Sequence, residues 1–83
     1  MTRISLEALG GETGKYLSHA FGNVGLQNGN QGEGEQFILH NRGGENVTLE
    51  CVGGEAGKFL SHAFSQVSLR KDGGDGELWR LHE

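Results

Sequence analysis

Apolar and polar residues alternate along this chain in short bursts, and the bursts form two matched sets. Ile4, Leu6 and Ala8 alternate with Ser5 and Glu7; Val24 and Leu26 flank Gly25; Phe37 and Leu39 flank Ile38. The matching places further on hold Val47, Leu49 and Cys51, then Val67 and Leu69, then Trp79 and Leu81. Period two over a few residues marks strands with one buried face. Between the bursts stand Gly10-Gly11, Gly14, Gly22-Asn23 and residues 28–34, all turn chemistry. GKYLSHAF supplies one more strand, with Leu17 (Leu60 in the second set) inward and Tyr16 (Phe59) half covered. The pattern predicts eight strands, about 3–8, 15–20, 23–27, 35–40, 46–51, 58–63, 66–70 and 77–82, and no helix.

The two sets are a duplication. LEALGGETGKYLSHAFGNVGL (residues 6–26) lies over LECVGGEAGKFLSHAFSQVSL (49–69) with 14 of 21 positions identical. After a one-residue deletion, GEQFILHN (34–41) lies over GELWRLHE (76–83). The 83 residues read as one domain of two units of about 42 residues, the first over about 3–41 and the second over 46–83. Comparing the units sets the register. Ile38 lies over Arg80, so that place must tolerate a charge and is expected to be exposed, whereas Phe37 lies over Trp79 and both are large enough to plug a core. The inward set is Ile4, Leu6, Leu17, Val24, Leu26, Phe37 and Leu39, repeated as Val47, Leu49, Leu60, Val67, Leu69, Trp79 and Leu81. That is a small core for its length, and oligomerisation is a usual remedy.

Composition narrows the classes. Sixteen glycines without a collagen period, and no proline, indicate many tight turns rather than a fibre. Net charge is −4 and the longest basic run is Arg70-Lys71, which argues against a nucleic-acid partner. The single cysteine, Cys51, excludes an intrachain disulfide; it lies over Ala8, so a small buried thiol is expected. No apolar run reaches membrane-spanning length and the first residues lack a secretory apolar core, which makes the cytosol the expected compartment.

A unit of this length carrying V-x-L, G-K-[YF]-L-S (Gly14 to Ser18, Gly57 to Ser61), V-x-L and F-x-L in that order resembles a β-trefoil repeat. The phrase HNRGGENVTLE (40–50) is similar to the histidine-and-glycine turns that join units in the fascin and hisactophilin group. The resemblance implies an all-β fold of trefoil-type repeats with two four-stranded units per chain. A trefoil of this kind has three repeats and twelve strands; this chain has two and eight. Three chains hold six repeats, or two whole trefoils, so the leading expectation is a domain-swapped homotrimer in which oligomerisation completes the trefoil. A homodimer with another closure and a monomeric eight-stranded barrel are the alternatives.

Candidate sites recur once per unit. His19 matches His62, and His40 matches His82. No pair has ligand spacing within a unit, so solvated strand-end histidines are expected rather than a metal site. The resemblance would associate surface histidines with pH sensitivity, although four are few beside the histidine-dense hisactophilin pattern. Lys15 and Lys58, with Glu12 and Glu55, form a repeated charge pair that reads either as a surface ion pair or, through the resemblance, as an actin- or anion-contacting position. The phrase SHAF places exposed-looking Phe21 and Phe64 after a histidine, where an aromatic could stack on a sugar ring or cover a barrel end or subunit contact. GGETG and GGEAG enter no helix through Gly-Lys-[Ser/Thr], so they are turns, not phosphate loops.

No enzyme constellation emerges. Ser18-His19 and Ser61-His62 are strand neighbours whose side chains point to opposite faces. Glu33, Glu35 and Glu77 are loop or strand-start carboxylates without an evident partner. The reading is a non-enzymatic binding or scaffold module without a cofactor, with Lys15, His19, Phe21, Lys58, His62 and Phe64 as candidate binding residues. Resemblance to fascin implies binding of actin-type filaments. The alternatives are a lectin with one weak site per repeat and a ligand-free repeat protein, engineered or reconstructed to assemble trefoil units.

Overall fold

The computed structural model describes residues 2–28, 32–71 and 74–82. Among the described residues there are eight short strands: β1 (Thr2–Ile4), β2 (Lys15–Ser18), β3 (Gly25–Asn28), β4 (Phe37–Asn41), β5 (Asn46–Cys51), β6 (Phe59–Ser61), β7 (Ser68–Arg70) and β8 (Trp79–Arg80). Among the described residues one 3-10 turn stands between successive strands within each half, while a tight turn joins β4 to β5. All strand pairs are antiparallel. One sheet runs β1-β4-β5-β6-β7 with β8 also on β5, and a second consists of β2 and β3.

The two halves repeat their contacts position by position. Leu17 pairs with Leu26 as Leu60 pairs with Leu69. Arg3 and Ile4 face Ile38 and Phe37, as Asn46 and Val47 face Arg80 and Trp79. Ala8 N–H donates to the Lys15 carbonyl, and Cys51 N–H to that of Lys58, both at 2.8 Å. Matched positions at matched spacings therefore make similar local pairings, although β6 joins the larger sheet and β2 does not.

Several strands are shorter than their sequence pattern suggests. β1 ends at Ile4, though an isolated bridge from Glu7 to Tyr16 and the Leu17-to-Leu6 hydrogen bond carry the pairing onward. β2 and β6 stop at Ser18 and Ser61, because each serine Oγ accepts the N–H two residues on and starts a 3-10 turn. β3 and β7 begin at Gly25 and Ser68, later than the predicted 23 and 66. β8 is reduced to two residues.

The core centres on Phe37, Leu49, Cys51 and Leu60, with Ile4, Leu6, Leu17, Val24, Leu39, Leu69 and Trp79 packed against them. Val47 is also buried. Three members of the predicted inward set are not: Leu26, Val67 and Leu81 are 45%, 54% and 50% exposed. Ile38, expected outside, is half-buried because β1 and β5 flank it on both sides, whereas its counterpart Arg80 is exposed. Cys51 is fully buried, and desolvation, with the Glu55 carboxylate second, pushes its thiol pKa up to about 12. Among the described residues no helix is long and apolar enough to cross a membrane.

Candidate functional site

The turn after β2, and its twin after β6, present the most unusual surface residues of the chain. After Ser18, His19 N–H donates to the Gly34 carbonyl at 2.8 Å, which turns the chain away from the strand. The ring then folds inward. Its Nε2 lies 2.9 Å from the Gln36 carbonyl, so this nitrogen carries the proton, and the ring meets Phe37 edge-on at 5.0 Å. His62 repeats both contacts, to the Leu78 carbonyl at 2.8 Å and to Trp79 at 5.0 Å.

The expected solvated histidines are thus only partly found. His62 and His82 are exposed and His40 is half-buried, but His19 is 1% exposed, with its ring against Phe37 and the turn that follows it packed on the Gly53–Glu55 turn. His40 Nε2 lies 2.8 Å from Glu50 Oε1. Glu35 and Glu77, read as loop carboxylates, are 6% and 2% exposed.

With histidine anchored, the following turn closes tightly. Gly22 N–H donates to the His19 carbonyl at 3.1 Å and Asn23 N–H to that of Ala20 at 3.2 Å; Ser65 and Gln66 do the same with His62 and Ala63. Ala20 sits against Gly34, where a Cβ would meet the alanine methyl at 3.2 Å; the Ala63–Gly76 contact is as close, at 3.1 Å. These small pairs let each turn seat on the next loop and drive the intervening aromatic outward. Phe21 and Phe64 both sit at φ 59° and are 94% and 85% exposed. A bulky residue in the left-handed region costs about 1–2 kcal/mol. The chain bears this twice, at matched positions, with rings in solvent.

The surroundings of the two rings differ. The Arg70 guanidinium lies 5.4 Å from the Phe64 ring centroid, a cation–π distance. Phe21 lines a cleft of about 330 Å³ between the halves, together with His19, Ala20, Glu33, Gly34, Val52, Gly54 and Glu55. Glu55 pairs with Lys58 at 2.7 Å, so that cation is held at the cleft's rim through the carboxylate. Lys15 pairs with Glu12 at 2.6 Å on open surface, an interaction worth about 0–1 kcal/mol.

Of the six candidate residues, Phe21 and His19 therefore share one cleft that Lys58 reaches through Glu55, while Phe64 and His62 share the equivalent turn. Lys15 is engaged elsewhere. The sequence reading missed Glu33, Val52 and Arg70 as neighbours of the rings; the first two arrive only by tertiary contact. Ser18 and His19 are both buried but turned to different partners, Ala20 N–H and the Gln36 carbonyl. Among the described residues no three His, Cys, Asp or Glu side chains converge as a metal site would require. Comparison with protein-family models, with curated proteins and with solved structures found no match.

Proposed function

We propose that the chain is a non-enzymatic binding module built of β-trefoil-type repeats, in which each repeat offers one aromatic knob to a repeating partner. The observation that carries this reading is the pair Phe21 and Phe64, solvent-exposed in a left-handed backbone that a phenylalanine adopts only at a cost. Two equal contacts on one chain suit a polymer that presents equal sites, because the second contact then forms at high effective concentration. An actin-type filament is the partner that the resemblance to fascin implies. Filament co-sedimentation tests it: the wild type pellets with filaments, and the Phe21→Ala, Phe64→Ala double variant stays in the supernatant. Equal pelleting of both proteins removes the knobs from the interaction.

A carbohydrate-binding module is the second reading, and the cleft beside Phe21 favours it. An exposed ring on a cleft that Glu33 and Glu55 also line offers a stacking surface together with acceptors for sugar hydroxyls. Binding on a glycan array, abolished by Phe21→Ala, selects this reading over the filament. A blank in both assays leaves a repeat protein made for assembly alone.

A further inference from the structure

β1 and β5 occupy matched places in the two units, yet they are covered differently. Val47, Thr48, Leu49 and Cys51 are 5%, 0%, 2% and 0% exposed. Their counterparts Ile4, Ser5, Leu6 and Ala8 are only half-buried. Pairing explains the difference. β5 is bonded to β8 at Asn46 and Val47, to β6 at Glu50, and to β4 along residues 47–51. The β1 segment has the equivalents of the first two, β4 at Arg3 and Ile4 and β2 at Glu7, but among the described residues nothing stands in place of the third. Conversely β8, the counterpart of β4, pairs with β5 alone. The β1 segment and β8 therefore each carry one half of a ladder that exists whole only at the β4–β5 junction.

We propose that β8 of one copy pairs antiparallel with the β1 segment of a second copy, in the register of the β4–β5 ladder. That register is specific. Phe37 opposite Cys51 becomes Trp79 opposite Ala8, again a large side chain against a small one. Leu39 opposite Leu49 becomes Leu81 opposite Leu6, which covers a leucine now half in water. Ile38 opposite Glu50 becomes Arg80 opposite Glu7, so opposite charges meet directly across the strands. His82 takes the place of His40, whose Nε2 bonds Glu50, and so reaches the same Glu7 carboxylate.

The turns agree with the strands. The 3-10 turn at Ala20–Gly22 packs on the one at Gly53–Glu55 and buries Val52 to 6% exposure. Leu9, the counterpart of Val52, is 82% exposed, and among the described residues the Ala63–Ser65 turn does not pack on the Gly10–Glu12 turn in the equivalent way. A second copy supplies each edge with its complement, since every chain carries one of each. The contact is head-to-tail, which propagates until it closes.

Closure rests on the trefoil reading given above. Two units leave room for one more in a three-unit ring, so the donor copy must part β4 from β5 and insert only its first unit. The connecting residues 42–45 are all exposed, with Gly43 and Gly44 at φ 106° and 57°, and serve as the hinge. For rings of three units, three chains, six units and two rings are the smallest set that leaves no edge open.

Charge exchange tests the pairing. Arg80→Glu and Glu7→Arg, singly and together in one chain, are compared with wild type by native mass spectrometry and sedimentation at micromolar concentration. Wild type is expected as three chains. Each single variant sets like charges opposite and weakens association about five- to tenfold, and the double variant recovers wild-type association. Arg80 also lies 3.6 Å from Glu45 in its own chain, but only contact with Glu7 explains recovery by Glu7→Arg. Glu7 accepts Gly14 N–H at 3.1 Å, so hydrogen exchange on the unmodified protein is the second readout: amides of the β1 segment and residues 79–82 gain protection as concentration rises. Another stoichiometry with the same charge response keeps the pairing. A single chain at every concentration, or a double variant no tighter than the singles, overturns it. Neither result touches the binding reading, which stands or falls on Phe21 and Phe64.

Discussion

Leu17 and Leu60 hold the same place in the two units and each faces a leucine across a hairpin, yet Leu60 is 3% exposed while Leu17 is only half-buried. The asymmetry has an energetic consequence. Leu60→Ala removes side-chain atoms packed on all sides and should cost about 2–5 kcal/mol, whereas Leu17→Ala should cost distinctly less under conditions where the chain is single. Denaturant melts of the two variants check this. Equal losses would mean that Leu17 is as well covered as Leu60, and so that association persists under those conditions.

Much of this was legible in the sequence. All eight strands fall within or beside the ranges that period-two alternation predicts, because alternation reports one buried face wherever a strand lies. The duplication made the units comparable, and the exposed Phe21 and Phe64, the Glu12–Lys15 and Glu55–Lys58 pairs and the buried Cys51 all follow from it. What alternation cannot report is whether a neighbour exists to cover the inward face. Leu26, Val67 and Leu81 are inward by pattern and yet exposed in the single chain. His19 failed in the other direction: a polar residue after a strand reads as solvated, but tertiary packing buries it against Phe37 and gives its Nε2 a carbonyl.

The Cys51 thiol makes stability depend on alkaline pH. Its pKa is about 12 in the folded chain, against an ordinary thiol value of 9.0. Between those values the unfolded chain releases the proton and the folded chain keeps it, so stability falls as pH rises. The decline should reach about 1.4 kcal/mol per pH unit within that window. Urea melts from pH 8 upward check it, with Cys51→Ala as the reference that lacks the slope. Because the thiolate is the reactive species, Cys51 should also resist alkylation until the chain unfolds.

Phe21 trades stability for its exposed position. Asparagine tolerates the left-handed region far better than phenylalanine, and Phe21 buries almost nothing. Phe21→Asn should therefore raise stability by about 0.5–1 kcal/mol while abolishing the contribution of that knob to filament or glycan binding. Thermal melts and the binding assay, run on the same preparation, read both effects. A variant that loses stability would show that the ring packs on the cleft below it rather than facing a partner.

The exposed edges of β1 and β8 can also be closed without a second copy. A chain extended by a third unit after Glu83, copied from the first, carries in cis the strands that the two-unit chain must borrow. It should run as a single chain, with Leu9 and Leu81 covered from within, and its melting temperature should not depend on protein concentration. The two-unit chain should behave oppositely. Its folding is coupled to association, so its melting temperature should rise with concentration, and its native mass should be about 27 kDa, three times the 8.9 kDa chain. Light scattering and melts over a concentration series measure both proteins side by side. If the extended chain still associates, the contact lies on a surface other than these two strands. If the two-unit chain melts at one temperature throughout, its sheet edges stay open to water and the unpaired leucines are simply exposed.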